Sequence, residues 1–64
     1  MRHTEFWSRL EAVLGHTYAR FWADRQVIAA LDGRTPAEAL AAGVPPKQVW
    51  AAVHEDLALP ASER

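Results

Sequence analysis

A chain of 64 residues with a net charge of −1, half of it hydrophobic and none of it cysteine, has room for one small domain. So short a chain buries a modest share of its surface and needs an efficient core, a staple or a partner. Disulfides and thiolate-based zinc sites are excluded by the missing cysteines, and no apolar run approaches the ~20 residues that span a bilayer.

Alanine is abundant, strand-type alternation is absent, and glycine and proline fall at boundaries, which predicts an all-α chain. The first helix is expected from Glu5 to Leu14, with Thr4 as its N-cap. Phe6, Leu10, Val13 and Leu14 share one face, Trp7 lies beside them, and Glu5 and Arg9 stand four apart as a solvated pair. Gly15 should end this helix in the left-handed conformation of a C-terminal cap.

The second helix is expected from Thr17 to Leu31, stopped by Asp32-Gly33. Tyr18, Phe21, Trp22, Val27, Ile28 and Leu31 spread its apolar surface over more than one stripe, as a central helix touching two neighbours would. The third helix, Pro36 to Ala42, is sharply marked. Thr35 and Glu38 form a capping box, Pro36 takes the first helical position, and Gly43 closes the helix with Val44 folding back. The fourth should run from Pro46 to Leu57, with Val49, Val53 and Leu57 in line and Trp50 on their flank. Leu59-Pro60 then ends the ordered chain.

The expected architecture is a bundle of three to four helices in a single domain spanning residues 1–64, with a loose tail from about residue 60. Its predicted core is Phe6, Leu10, Leu14, Tyr18, Val27, Ile28, Leu31, Leu40, Val49, Val53 and Leu57, sealed at the edges by Trp7 and Trp50. The stretch MRHTEFWSRLEAVLG is interrupted by Glu5, Arg9 and Glu11, so it lacks the continuous apolar core of a signal segment. A cytoplasmic protein without membrane contact is expected.

The stretch TPAEALAAGVPPKQVWAAVH raises the question of DNA. Ala39, Gly43, Val44 and Val49 stand at the spacings of a helix-turn-helix, where they allow close approach, a turn and inward packing. Readout needs basic or amide side chains toward bases and phosphates. Only Lys47 and Gln48 on the second helix suit that role, with Arg34 before the first. From Thr35 onward, Lys47 and Arg64 are set against Glu38, Glu55, Asp56 and Glu63. Because affinity for DNA rests mainly on phosphate neutralisation, this acidic half favours a structural helix pair over a DNA reader.

No catalytic constellation is present. Glu5 and Glu11 have no accompanying nucleophile, and the three glycines lie too far apart for a phosphate loop. His3, His16 and His54 form no paired helical spacing. His54-Glu55-Asp56 are possible ligands, but neighbouring helical residues point different ways. No enzyme activity, metal or cofactor is therefore expected. The remaining signal is aromatic. Trp7, Trp22 and Trp50 are efficient core residues for a small domain, and equally the residue type that anchors interfaces. Trp22, next to Phe21, is the best candidate for an exposed anchor. Phe21, Trp22, Trp7 and Trp50 are thus the candidate interface, toward an unidentified protein partner or a second copy.

Finally, the opening MRHTEFW, Gly15 with Tyr18-Ala19, and the block GRTPAEALAAGVPPKQVWAAVHE together resemble an actinobacterial family of short proteins, domain of unknown function 3046. The resemblance covers nearly the whole chain. It implies an all-helical fold and brings no established activity. Its members are often encoded beside a recombinase and that recombinase's regulator, which implies a link to DNA repair or recombination as the alternative reading. Two positions depart from the family pattern. His3 stands where an aliphatic residue is usual, and His54 where cysteine is frequent, so a cysteine-based function is not implied and position 54 is expected to be a packing position.

Overall fold

In the computed structural model, residues 1–60 are described. They form α1 (His3–Leu14), α2 (His16–Arg25), a 3-10 turn (Ala29–Leu31), α3 (Pro36–Ala41) and α4 (Pro46–Asp56). The all-α expectation holds, and no helix among the described residues is long and apolar enough to cross a membrane. The tail expected to be loose lies, beyond Pro60, outside the described residues.

α1 begins earlier than its sequence suggests. Arg2 is the N-cap, without a side-chain hydrogen bond, and its carbonyl accepts the Phe6 N–H at 3.0 Å. Thr4 is therefore inside the first turn and does not cap. Phe6 and Leu10 are buried on the inner face, with Trp7, Val13 and Leu14 partly buried against them.

Only Gly15 separates α1 from α2. Its N–H closes α1 on the Glu11 carbonyl at 2.8 Å, and its own carbonyl accepts the Ala19 N–H at 3.0 Å to open α2. The expected left-handed cap is not what forms. Gly15 has φ 91° and ψ 154°, an extended positive-φ region that is essentially confined to glycine.

The long second helix of the sequence reading is the main correction. α2 stops at Arg25, and Gln26 follows in an extended conformation. Ile28 then donates its N–H to the Arg34 carbonyl at 3.1 Å and accepts the Gly33 N–H at 3.3 Å. Between them Asp32 (φ 59°) and Gly33 (φ 75°) reverse the chain. Breaking the helix lets Ile28 and Leu31 both enter the core, and it turns Val27 outward, 59% exposed. Tyr18, also expected inside, is 51% exposed. The inner face of α2 is made instead by Ala19, Trp22 and Ala23, spaced at i, i+3, i+4.

α3 matches its signals. The Thr35 hydroxyl accepts the Glu38 N–H at 3.1 Å, and the Glu38 carboxylate accepts the Thr35 N–H at 2.9 Å. At the other end, Val44 donates to Ala39 and Gly43 to Leu40, the paired bonds of a Schellman motif with Gly43 at φ 94°. α4 follows from Pro45 and Pro46 and buries Val49, Trp50, Ala52, Val53 and His54. Leu57, its C-cap, is partly buried.

The core forms where α4 packs on α1, α3 and the 3-10 turn, and α2 on α1 and α3. Phe6 lies at its centre. It meets Trp7 edge to face at 5.3 Å between ring centroids and Trp50 at 6.0 Å.

Candidate functional site

The small inner residues of α2 decide what its outer face presents. Ala19 and Ala23 are fully buried and sit against the core with Trp22 between them. Tyr18, Phe21 and Arg25, spaced i, i+3, i+7, consequently share a face turned away from it. Tyr18 and Phe21 are stacked at 6.1 Å between centroids with 26° between their planes. Phe21 is 54% exposed. The Arg25 guanidinium lies 4.7 Å above its ring, a cation held by an aromatic face. This makes a short exposed strip of two aromatic rings and one positive charge.

The tryptophans do not form such a surface. Trp22, the expected exposed anchor, is 9% exposed, and Trp50 is 3% exposed. Trp7 is partly buried and covered by Arg20, whose guanidinium lies 3.9 Å over its ring. Of the candidate interface residues, Phe21 alone presents most of its side chain to solvent. Tyr18 and Arg25 belong to this surface although the sequence does not single them out for it. Their spacing with Phe21 was legible, but assigning Tyr18 to the core hid it.

The helix pair α3–α4 has the local form expected of it, with Ala39 and Val49 buried at its contact. Lys47 and Gln48 are exposed on the first turn of α4, whereas Arg34 lies on the turn before α3. Lys47 is on one side of an open groove of about 520 Å³ between α4 and α1, lined also by Met1, Glu5, Arg9, Trp50 and Ala51. Glu5 is engaged there by Arg9 at 3.0 Å. Glu55 and Asp56 are exposed at the far end of α4.

His54 does not join Glu55 and Asp56 in a cluster. It is buried, and its Nε2 lies 2.9 Å from the Pro60 carbonyl oxygen. Because that oxygen can only accept, Nε2 carries the proton. Position 54 is thus a packing position with a satisfied polar edge. Among the described residues, no group of three or more His, Asp or Glu side chains could hold a common metal ion.

The fold and its surfaces define a small all-α protein with a helix-turn-helix-like C-terminal pair and an exposed aromatic face. The chain belongs to the family described as "Protein of unknown function (DUF3046)", whose model matches residues 1–62. No significant match is found among curated proteins or among solved structures.

Proposed function

We propose that the chain is a non-enzymatic protein–protein interaction module, and that α2 is its contact element. The carrying observation is the stacked Tyr18–Phe21 pair with the Arg25 guanidinium over the Phe21 ring, left in solvent by a domain that buries Phe6, Trp22 and Trp50. Tyrosine, phenylalanine and arginine are enriched at interface centres, where rigid rings supply area at little entropic cost. Single exposed apolar residues are ordinary. A stacked pair with a guanidinium over one ring is instead a contiguous surface of the kind that binding sites use. A cytoplasmic location and the absence of catalysis belong to the same proposal.

The test is affinity capture from native lysate with the wild-type chain and with Tyr18→Ser/Phe21→Ser. A partner retained by the wild type and lost by a variant with an unchanged circular dichroism spectrum supports the reading. Recovery of the same proteins by both overturns it.

A second reading, a DNA-binding accessory linked to repair or recombination, draws on the α3–α4 pair and the exposed Lys47 and Gln48. Glu55 on the same helix works against it, since a carboxylate repels phosphate. Fluorescence anisotropy with labelled duplex and single-stranded DNA at low and moderate salt decides it. Salt-sensitive binding weakened by Lys47→Glu and Arg34→Glu would favour DNA.

A further inference from the structure

The outward face of α4 is a second surface, independent of α2. Burial of Val49, Trp50, Ala52, Val53 and His54 leaves only a narrow arc of the helix in solvent. Lys47, Ala51 and Glu55 lie along that arc at i, i+4, i+8, all exposed, with Gln48 beside them. Lys47 at one end and Glu55 at the other have no ion pair among the described residues. They cannot pair with each other, because eight residues of helix separate them by about 12 Å. Between them stands Ala51, whose single methyl group allows another backbone to come close.

A line reading cation, small residue, anion is complementary to itself when reversed. A two-fold axis beside Ala51 sets two such helices antiparallel. Lys47 of each copy then faces Glu55 of the other, and the two alanines meet at the crossing. Two-fold contacts are isologous, so one surface supplies both halves of every pair. The ridge of α4 stands between the groove toward α1, where Lys47 and Trp50 lie, and one of about 340 Å³ lined by Ile28, Ala29, Ala30, Ala52, Glu55 and Asp56. The two-fold sets each groove against the same groove of the second copy, so the charge pairing rests on the stripe itself.

We propose that the chain self-associates through α4 as an antiparallel two-fold dimer, with Lys47 and Glu55 as the reciprocal pair and Ala51 at the axis. A single helix face is smaller than the standard interface of roughly 800 Å² per partner, and exposed ion pairs contribute little. The dimer is therefore weak and concentration-dependent, and it is screened by salt. This face is not the proposed α2 contact, so either can fail without the other.

A charge swap tests it, read by sedimentation equilibrium up to about 1 mM chain at low and high salt. The wild type should show a monomer–dimer equilibrium that weakens with salt. Lys47→Glu and Glu55→Lys should each raise the dissociation constant roughly tenfold, since each turns both symmetric attractions into repulsions. The double variant Lys47→Glu/Glu55→Lys should return it to near the wild-type value. Ala51→Arg should abolish the dimer while circular dichroism stays unchanged. A chain that remains monomeric overturns the proposal. So does a dimer indifferent to these changes, which would lie on another face, or a double variant that stays dissociated. Salt-sensitive duplex DNA binding lost in Lys47→Glu, with no self-association, would also overturn it and assign the face to nucleic acid.

Discussion

His54 and Pro60 are joined by a hydrogen bond of 2.9 Å from the imidazole Nε2–H to the carbonyl oxygen, and this bond ties the chain beyond α4 back onto the helix that precedes it. The same carbonyl-lined end is closed by two backbone bonds, Leu59 N–H to the His54 carbonyl at 3.1 Å and Ala58 N–H to Glu55 at 3.2 Å. His54 thus anchors the cap through its backbone and the following residue through its ring. Replacing it by alanine removes both the packing and the bond. A loss of about 1–3 kcal/mol is expected, from the hydrogen bond and the cavity together. Urea unfolding measures it. Faster amide exchange at Leu59 in His54→Ala would show that the ring, and not only helix propensity, holds this end.

Ala58 occupies the left-handed position of that cap at φ 52°, where a Cβ is strained. Ala58→Gly should stabilise the protein by about 0.5–1 kcal/mol, the relief of strain less the added freedom of the unfolded chain. Thermal unfolding should show a rise of a few degrees, on the order of 4–8 °C per kcal/mol for a domain of this size. A lower midpoint would contradict the cap assignment.

Gly43 gives the converse. It stands in the equivalent position after α3 at φ 94°, and a Cβ there would meet nothing within 4 Å. The cost of Gly43→Ala is then backbone strain less the freedom the unfolded chain loses, about 0.5–1 kcal/mol. A larger loss would mean that close packing also demands glycine there.

The capping box predicts two graded effects. Thr35→Ala leaves the Glu38 N–H without its hydroxyl partner and should cost about 1 kcal/mol. Glu38→Gln keeps an acceptor for the Thr35 N–H, at 2.9 Å from the carboxylate, and should cost less. Equal losses in denaturant titrations would show that charge, rather than the hydrogen bond, matters at Glu38.

Phe6 is fully buried with two tryptophan rings at its edges. Phe6→Ala should cost about 3–5 kcal/mol. Domains have only about 5–15 kcal/mol in total, and one this small lies toward the low end. The variant should therefore be largely unfolded near physiological temperature by circular dichroism. Tyr18→Ser/Phe21→Ser, on the exposed face, should change stability by no more than about 0.5 kcal/mol.

Local signals were sufficient for much of this fold. The start of α3 was legible because Thr35, Pro36 and Glu38 act within four residues of one another, and its end because Gly43 supplies the positive φ of the closing turn. The inward line Val49–Val53 of α4 was legible from helical spacing. The inward placement of Phe6 and Leu10 on α1 followed from the same rule.

What sequence spacing could not decide was where α2 ends and which of its faces turns inward. Thr17 to Leu31 reads as a continuous helix, and both Tyr18–Phe21 and Ala19–Trp22–Ala23 are plausible inner faces. The tertiary structure chose the second: where α2 packs on α1 and α3, Ala19 and Ala23 are fully buried and Trp22 joins the core. It also broke the helix after Arg25, so that Ile28 could bond Arg34 and reach the core with Leu31. These choices depend on the shape of the neighbouring helices, which no local pattern carries. They are also what placed Tyr18, Phe21 and Arg25 in solvent, and so the α2 face arose from tertiary packing rather than from any motif.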